Sequence, residues 1–201
     1  LSPLHCEWND TKFNILDTPG VPDFVGEMYC GMRAADTAVV VVDAILGVNS
    51  GTESAIRNAE AENMAMTFLV TKLDMEKADF EKVSTQLSDM FGHRVTIVQF
   101  PATTGAKINS IVDVMRMKLL QFKNYKSGDV TEEDIPDHLR ARADELHNAL
   151  VENVAEADEA LMTTYFEKGS LEEHELAPVL KRAILERTIL PVLVAIPPVN
   201  V

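Results

Sequence analysis

Short apolar runs alternate with amphipathic stretches along the first part of the chain, and a last apolar run lies near its end. Residues 37–42 and 66–70 are almost wholly apolar and rich in β-branched side chains, which is typical of strands buried on both faces, and residues 190–196 form a similar run. Residues 23–34 and 52–63 have helical patterning between them. This alternation predicts an α/β fold with a mostly parallel sheet and helices on both faces.

The opening residues predict an antiparallel pair of strands. Residues 4–8 alternate well enough to form an edge strand, and residues 11–16 form a second strand that runs into a sharp turn. Asn9 and Asp10 stand between them as the turn residues.

The middle block begins with short strand-like pieces at 95–100 and 108–117, followed by a polar loop at 126–134. A long helical stretch comes next, with Pro136 well placed in its first turn. Spacings of three and four make one apolar stripe along this stretch, which consists of Leu139, Ala143, Leu146, Leu150, Val154, Ala157, Leu161 and Tyr165.

A further helix follows, running towards Arg187. Ser170 and Glu173 form a capping-box signature for its start. Because Pro178 falls beyond the first turn of that helix, we expect a kink or a break there.

These patterns predict three segments. Residues 1–90 form an α/β core, residues 91–188 an inserted α+β subdomain, and residues 189–201 the last strand of the core.

The net charge of −14 is unevenly distributed. Residues 127–176 hold 15 of the 32 acidic residues and three basic ones, namely Arg140, Arg142 and Lys168. Such a surface repels phosphate backbones, which argues against direct nucleic-acid binding. Two interpretations stay open for the acidic block: a solvated helix surface, or a docking face for a basic or amphipathic protein partner.

Other features exclude several classes of protein. No apolar run approaches the eighteen or so residues that a membrane span needs, and no leader pattern opens the chain, so neither a membrane protein nor a secreted one is predicted. With only Cys6 and Cys30, a cytoplasmic location is expected. The five histidines share no ligand spacing, and no nucleophile-elbow motif is present.

Two strand ends carry candidate chemistry. Asp17, Thr18, Pro19 and Gly20 follow a strand at the carboxyl edge of the sheet, where a carboxylate can orient water on Mg²⁺ and a glycine amide can approach a phosphate. A plain tight turn is an equal interpretation of that tetrapeptide.

The second candidate site, residues 71–74, also follows a buried strand. Asp74 is placed to accept two hydrogen bonds from the N1 and N2 donors of guanine, which adenine does not offer. The apolar stem of Lys72 can lie over the base, next to Thr71.

Taken together, the two sites resemble those of translational GTPases, and within them elongation factor G. Asp17-Thr-Pro-Gly-Val-Pro-Asp-Phe24 is similar to the family's Asp-Thr-Pro-Gly-His-Val-Asp-Phe motif, and Thr71-Lys-Leu-Asp74 to its Asn-Lys-x-Asp guanine motif. Asp113-Val-Met-Arg-Met-Lys118 and Leu150-Val-Glu152 resemble parts of the family's extra subdomain. Phe24-Val-Gly-Glu27 looks more like the divergent elongation-factor-G-like paralogues.

The sequence departs from the family pattern at several points. No Gly-x-x-x-x-Gly-Lys-Ser/Thr phosphate loop occurs, and Val21 stands where the family has the histidine that positions the attacking water, so no catalytic residue is predicted. Ala195-Ile-Pro-Pro198 replaces the family's Gly-Ser-Ala segment. The resemblance implies a missing strand between residues 11–16 and 37–42, so we expect a fragment of a longer protein that is inactive alone and prone to self-association.

The resemblance implies GTP or GDP with Mg²⁺ as ligands of the intact protein and the ribosome as its partner, with the ribosomal stalk protein contacting Asp144, Glu145 and Glu152. Hydrolysis would drive a change between ordered and relaxed states of residues 20–24. The alternative is a weak or inactive GTPase-like module that acts by protein docking through its acidic insert.

Overall fold

The computed structural model describes residues 1–124, 129–169 and 171–196. Its strands are β1 Ser2–Trp8, β2 Thr11–Asp17, β3 Thr37–Asp43, β4 Ala65–Thr71, β5 Val95–Ile97, β6 Gln99–Pro101, β7 Ser110–Asp113, β8 Lys118–Asn124, β9 Asp129–Glu133 and β10 Leu190–Val194. Its helices are α1 Val25–Ala34, α2 Ser50–Ala61, α3 Phe80–Phe91, α4 Asp137–Glu156, α5 Glu159–Lys168 and α6 Glu173–Leu185. None of these helices is long and apolar enough to cross a membrane.

A four-stranded parallel sheet forms the centre of the fold, in the order β3-β4-β10-β5. Met66, Phe68 and Val70 of β4 are completely buried, and the hydrophobic core continues from them into the helices that flank the sheet. The predicted α/β architecture is therefore confirmed. The register places Val40 opposite Phe68 and Asp43 opposite Thr71, so β3 and β4 end level with each other.

The prediction that residues 37–42 are buried on both faces is wrong. Val40 and Val42 point into the core, but Val39 and Val41 are each 57% exposed. β3 is the edge strand of the central sheet, and no element in the described part of the chain covers its outer face.

The opening hairpin is confirmed, with Trp8 opposite Thr11 and left-handed φ values of 47° at Asn9 and 57° at Asp10. Two successive left-handed residues are what a tight two-residue turn needs, because its twist then matches that of the strands. β1 and β2 make a sheet of their own, and only Leu16 among their side chains is even half-buried. No strand pairing joins β2 to β3 among the described residues.

A second sheet is antiparallel, in the order β6-β7-β8-β9. Residues 129–133, predicted as part of a polar loop, form its edge strand β9, while residues 125–128 of that loop lie outside the described residues. The first strand-like piece is divided at Val98: β5 pairs with β10 of the central sheet, and β6 pairs with β7. The three predicted segments themselves stay a prediction.

The long apolar stripe belongs to two helices, α4 and α5. The first ends at Glu156, and the side chain of Asp158 caps the second, since its Oδ1 accepts hydrogen bonds from the amides of Ala160 at 3.0 Å and Leu161 at 3.1 Å. The stripe is still the buried face of both helices. Its members Ala143, Leu146, Leu150, Val154 and Leu161 are all in the core.

Two expectations for the last helix need correction. Its capping box is formed by Glu172 and Glu175, further along the chain than the predicted one, and Ser170 lies outside the described residues. Of the kink or break expected at Pro178, the break does not occur: α6 is continuous through Pro178, with Leu176 and Leu180 buried on either side of it. A missed element is α3, whose signal is present in Asp79, an N-cap that accepts a hydrogen bond from Lys82 N.

Candidate functional site

The loop after β2 holds the first group of predicted site residues. Asp17 and Gly20 are exposed, and Thr18 and Pro19 are half-buried. The side chain of Asp17 has no hydrogen bond or ion pair to the described residues. Its carboxylate is therefore available to a ligand.

Two glycines allow other elements to approach this loop closely. A Cβ atom at Gly51, in the first turn of α2, would lie 2.7 Å from the carbonyl oxygen of Gly20. A Cβ atom at Gly31, in α1, would lie 2.7 Å from Cγ2 of Thr18. A side chain at position 51 would therefore displace the backbone at Gly20, whereas one at position 31 would displace only the methyl group of Thr18. The sequence offered no signal for these contacts, because each glycine is distant in sequence from the loop it touches.

The loop after β4 holds the second group of predicted site residues, 71–74. Lys72 has a left-handed φ of 61°, and its Nζ donates a hydrogen bond of 2.6 Å to Oδ2 of Asp43, the last residue of β3. The other carboxylate oxygen of Asp43 accepts hydrogen bonds from the backbone amides of Ile45 at 2.8 Å and Leu46 at 3.2 Å. Asp43 was not among the predicted site residues.

The charge state of Asp43 follows from these contacts. Partial burial pushes the pKa of this carboxyl upward, but the hydrogen bond from Lys72 and those from the two amides outweigh it and hold the pKa of Asp43 below its ordinary value. Asp43 is therefore ionised at neutral pH, and the Lys72–Asp43 contact is an ion pair.

Asp74 lies two residues beyond Lys72 in the same loop. It is half-buried, and its carboxylate makes no hydrogen bond or ion pair to the described residues. Leu73 beside it is completely buried, and its carbonyl accepts a hydrogen bond of 2.8 Å from the amide of Gly105, which has a φ of 89°. The loop is thus anchored next to Asp74 while the carboxylate is left open.

The positions that depart from the family pattern are also near strand ends. Val21 is 54% exposed and precedes a turn of 3-10 helix at Pro22–Phe24, so a hydrocarbon side chain stands at that point of the loop. Ala195 follows β10 and donates a hydrogen bond of 2.9 Å from its amide to the carbonyl of Val70. Pro197 and Pro198 of the predicted base loop lie outside the described residues.

Both predicted loops contact the segment that runs from the end of β3 into the start of α2. Residues 17–20 lie against Gly51, in the first turn of α2, and residues 71–74 contact Asp43, the last residue of β3. The two loops make no hydrogen bond to each other among the described residues. Residues 43–51 are therefore contacted by two loops that are distant from each other in sequence.

A magnesium ion would need more ligands than this surface offers. The part of the chain that the structure describes has no group of three or more His, Cys, Asp or Glu residues able to hold a metal. A single free carboxylate such as Asp17 nevertheless fits Mg²⁺, which keeps several waters and takes one or two carboxylates together with phosphate oxygens.

Comparison with known proteins is consistent with this geometry. The sequence profile described as the elongation factor Tu GTP binding domain matches residues 1–181. A crystal structure of a protein from Thermus thermophilus has a TM-score of 0.88 and 28% sequence identity, covering 98% of this chain. The chain spans 29% of the length of that protein.

Proposed function

Because this chain belongs to the family of elongation factor Tu GTP-binding domains, we propose that it binds GTP and GDP, with Mg²⁺, as part of a longer translation factor of the elongation factor G type. Within that factor it supplies the base-recognition loop and the second switch. The paralogue-like residues at 24–27 favour a divergent elongation-factor-G-like protein.

The observation that carries this proposal is the state of Asp74. Its carboxylate is half-buried, unpartnered among the described residues and held in an anchored loop beside Lys72. A carboxylate in that state accepts the N1 and N2 hydrogen bonds of guanine without first breaking an internal contact. Thr71, where the family has asparagine, keeps a hydroxyl that can tie the loop to its neighbours.

On the phosphate side, Asp17 would orient a water on the magnesium ion, and Gly20 would present its backbone amide to a phosphate. Thr18 and Pro19 fix the loop between them. The ion itself offsets phosphate charge. A phosphate loop must come from another segment, since no such motif occurs in the 201 residues.

The open edge of the central sheet supports that view. Among the described residues β2 and β3 are not paired with each other, and Val39 and Val41 leave apolar surface beside the unpaired edge. One further strand, feeding a phosphate loop, would pair with this edge and lie beside the two valines. When that strand is absent, the same surface promotes self-association of the chain.

Hydrolysis by this site is slow, or proceeds by a route of its own. Val21 has no polar atom in its side chain with which to orient a water molecule. Exchange of GTP for GDP would instead change the conformation of residues 17–24, and their contacts with Gly31 and Gly51 would transmit the change to α1 and α2.

The acidic insert is the proposed contact with the ribosomal stalk protein, through α4. Asp144, Glu145 and Glu152 are all exposed. Asp144 pairs with Arg140 and Glu145 with Arg142, whereas Glu152 has no partner among the described residues. If GTP binding proves absent, docking through this face becomes the proposed function of the chain. Glu152→Lys should then abolish stalk binding. Glu62→Lys, at the end of α2, is the control and should leave stalk binding unchanged.

The test of the nucleotide proposal is a fluorescence titration of GDP and ADP, with Mg²⁺, against the full-length protein that carries this sequence. We expect tight GDP binding, no response to ADP, and a loss of about a hundredfold in GDP affinity for Asp74→Ala, since two hydrogen bonds to a charged group are removed. Asp134→Ala is the matched control, because that carboxylate is exposed on the insert and pairs with Lys118. Equal affinity for GDP and ADP would refute the assignment.

A further inference from the structure

The ion pair between Asp43 and Lys72 is not explained by the functions given so far. Lys72 belongs to the guanine motif, yet its ammonium group is 2.6 Å from a carboxylate on a different strand. The side chain of Lys72 is 57% exposed, and that of Asp43 is 15% exposed. The pair therefore joins one exposed and one enclosed side chain.

Asp43 is the fixed member of the pair. Its Oδ1 accepts hydrogen bonds from the amides of Ile45 and Leu46, which leaves Oδ2 for the lysine. The backbone around it is also tied down: the amide of Ala44 donates to the carbonyl of Thr71 at 3.0 Å, and the carbonyl of Ala44 accepts from the amide of Asp79 at 2.9 Å. The carboxylate position is thus set by the end of the sheet itself.

The side chain of Lys72 is held in place by Asp43. A lysine side chain has four rotatable bonds, so its stem is poorly defined unless its end is held. The left-handed backbone at Lys72 sets the direction in which the side chain leaves the loop, and Asp43 fixes the far end. The methylene stem of Lys72 is therefore held at both ends.

An ordinary surface ion pair would not have these properties. Lys118 and Asp134, for comparison, form a pair of 2.8 Å in which the carboxylate side chain is 91% exposed. Such pairs contribute little to stability because solvent screens them. The Asp43 carboxylate, by contrast, also accepts hydrogen bonds from two backbone amides. These bonds fix its position, which neutralising the charge of a lysine would not need.

We infer that Asp43 is a positioning residue for guanine recognition: it holds Lys72 so that the lysine stem, and not its charge, forms one wall of the base site. This inference rests on the proposed function, since it concerns the same base. Asp43 touches the nucleotide only through Lys72. The stem contacts the face of the base, whereas Asp74 accepts hydrogen bonds from the edge of the base.

A double-mutant cycle tests the inference in the full-length protein. Asp43→Asn removes the charge at nearly constant shape, and Lys72→Met keeps an apolar stem but removes the ammonium that anchors it. We expect each variant to weaken GDP binding about tenfold, the effect of one hydrogen bond to a charged group. The double variant should be no weaker than either single one, because both remove the same tether. Asp134→Asn is the matched control and should bind GDP as the wild type does.

A second readout separates positioning from general damage to the site. Inosine diphosphate lacks the N2 amino group but has the same stacking face as GDP. Asp43→Asn should weaken the binding of both nucleotides by the same factor, while Asp74→Ala should remove the preference for GDP.

Additive effects in the cycle, or wild-type affinity in Lys72→Met, would overturn the inference. Lys72→Met gives this answer even if Asp43→Asn fails to fold, and absent GDP binding by the wild type would instead refute the proposed function.

Discussion

β3 and β4 are neighbouring strands with similar apolar sequences and very different surroundings. In β4, Met66, Phe68 and Val70 are completely buried, whereas in β3 two valines are more than half exposed. β4 lies between β3 and β10, while β3 has a partner on one side only among the described strands. An apolar sequence thus shows that a strand is suited to burial. Whether it is buried depends on which elements pack against it, and those elements are distant in sequence.

The largest effect on stability is expected from Phe68→Ala in the 201-residue chain, which tests this comparison. The ring of Phe68 is completely buried, with its centroid 5.7 Å from that of Phe91, so its removal leaves a cavity in the core. We expect a loss of about 3–5 kcal/mol in the free energy of unfolding, measured by urea denaturation. Val41→Ala, on the open face of β3, should change it by less than about 0.5 kcal/mol. Similar losses for both would mean that β3 is covered in solution.

The next test concerns the loop at residues 17–20. Gly51→Ala places a methyl group against the carbonyl of Gly20, so we expect destabilisation by about 1–3 kcal/mol, together with a shift of the loop. Gly26→Ala, in the first turn of α1, meets nothing within 4 Å and should stabilise by up to about 1 kcal/mol. Thermal unfolding of the pair checks the prediction, and a Gly51→Ala variant as stable as Gly26→Ala would contradict it.

A smaller effect is expected from Val41→Lys. A charge on the open face of β3 opposes pairing with another strand, so the self-association proposed for the chain should weaken about tenfold. Analytical ultracentrifugation over a range of concentrations measures this change. Leu185→Lys, at the end of α6 and 59% exposed, is the control and should have no effect. Unchanged association in Val41→Lys would place the contact elsewhere.

The sequence predicts most of the elements but not all their environments. Periodicity located the parallel strands and the buried stripe of α4 and α5, because both depend on side-chain spacing within one segment. It missed the exposure of Val39 and the division of the stripe at Asp158. The first depends on which strand lies next to β3, and the second on a side chain that caps one helix inside a continuous pattern.

The candidate site shows the same limit. Residues 17–20 and 71–74 were recognisable from short motifs at strand ends, and whether they bind nucleotide stays a prediction. Gly31, Gly51 and Asp43 were not found, because their roles arise only when segments distant in sequence meet in the fold. Local patterns identify groups that can do chemistry, while the residues that hold those groups in place become visible only in three dimensions.

The smallest effect expected is the contribution of Asp43 to stability as the pH changes. Because the pKa of Asp43 is lowered in the folded chain from its ordinary value of 3.8, its carboxylate stabilises the fold above that pH. This contribution is lost as the pH falls below 3.8 and through the lower folded pKa. The difference in unfolding free energy between wild type and Asp43→Asn, followed by urea denaturation from about pH 6 downward, should therefore shrink at acid pH. Because Lys72 is largely exposed, high salt should reduce the same difference at neutral pH. A difference that grows on acidification would show that burial, and not the ion pair with its two amides, dominates at Asp43.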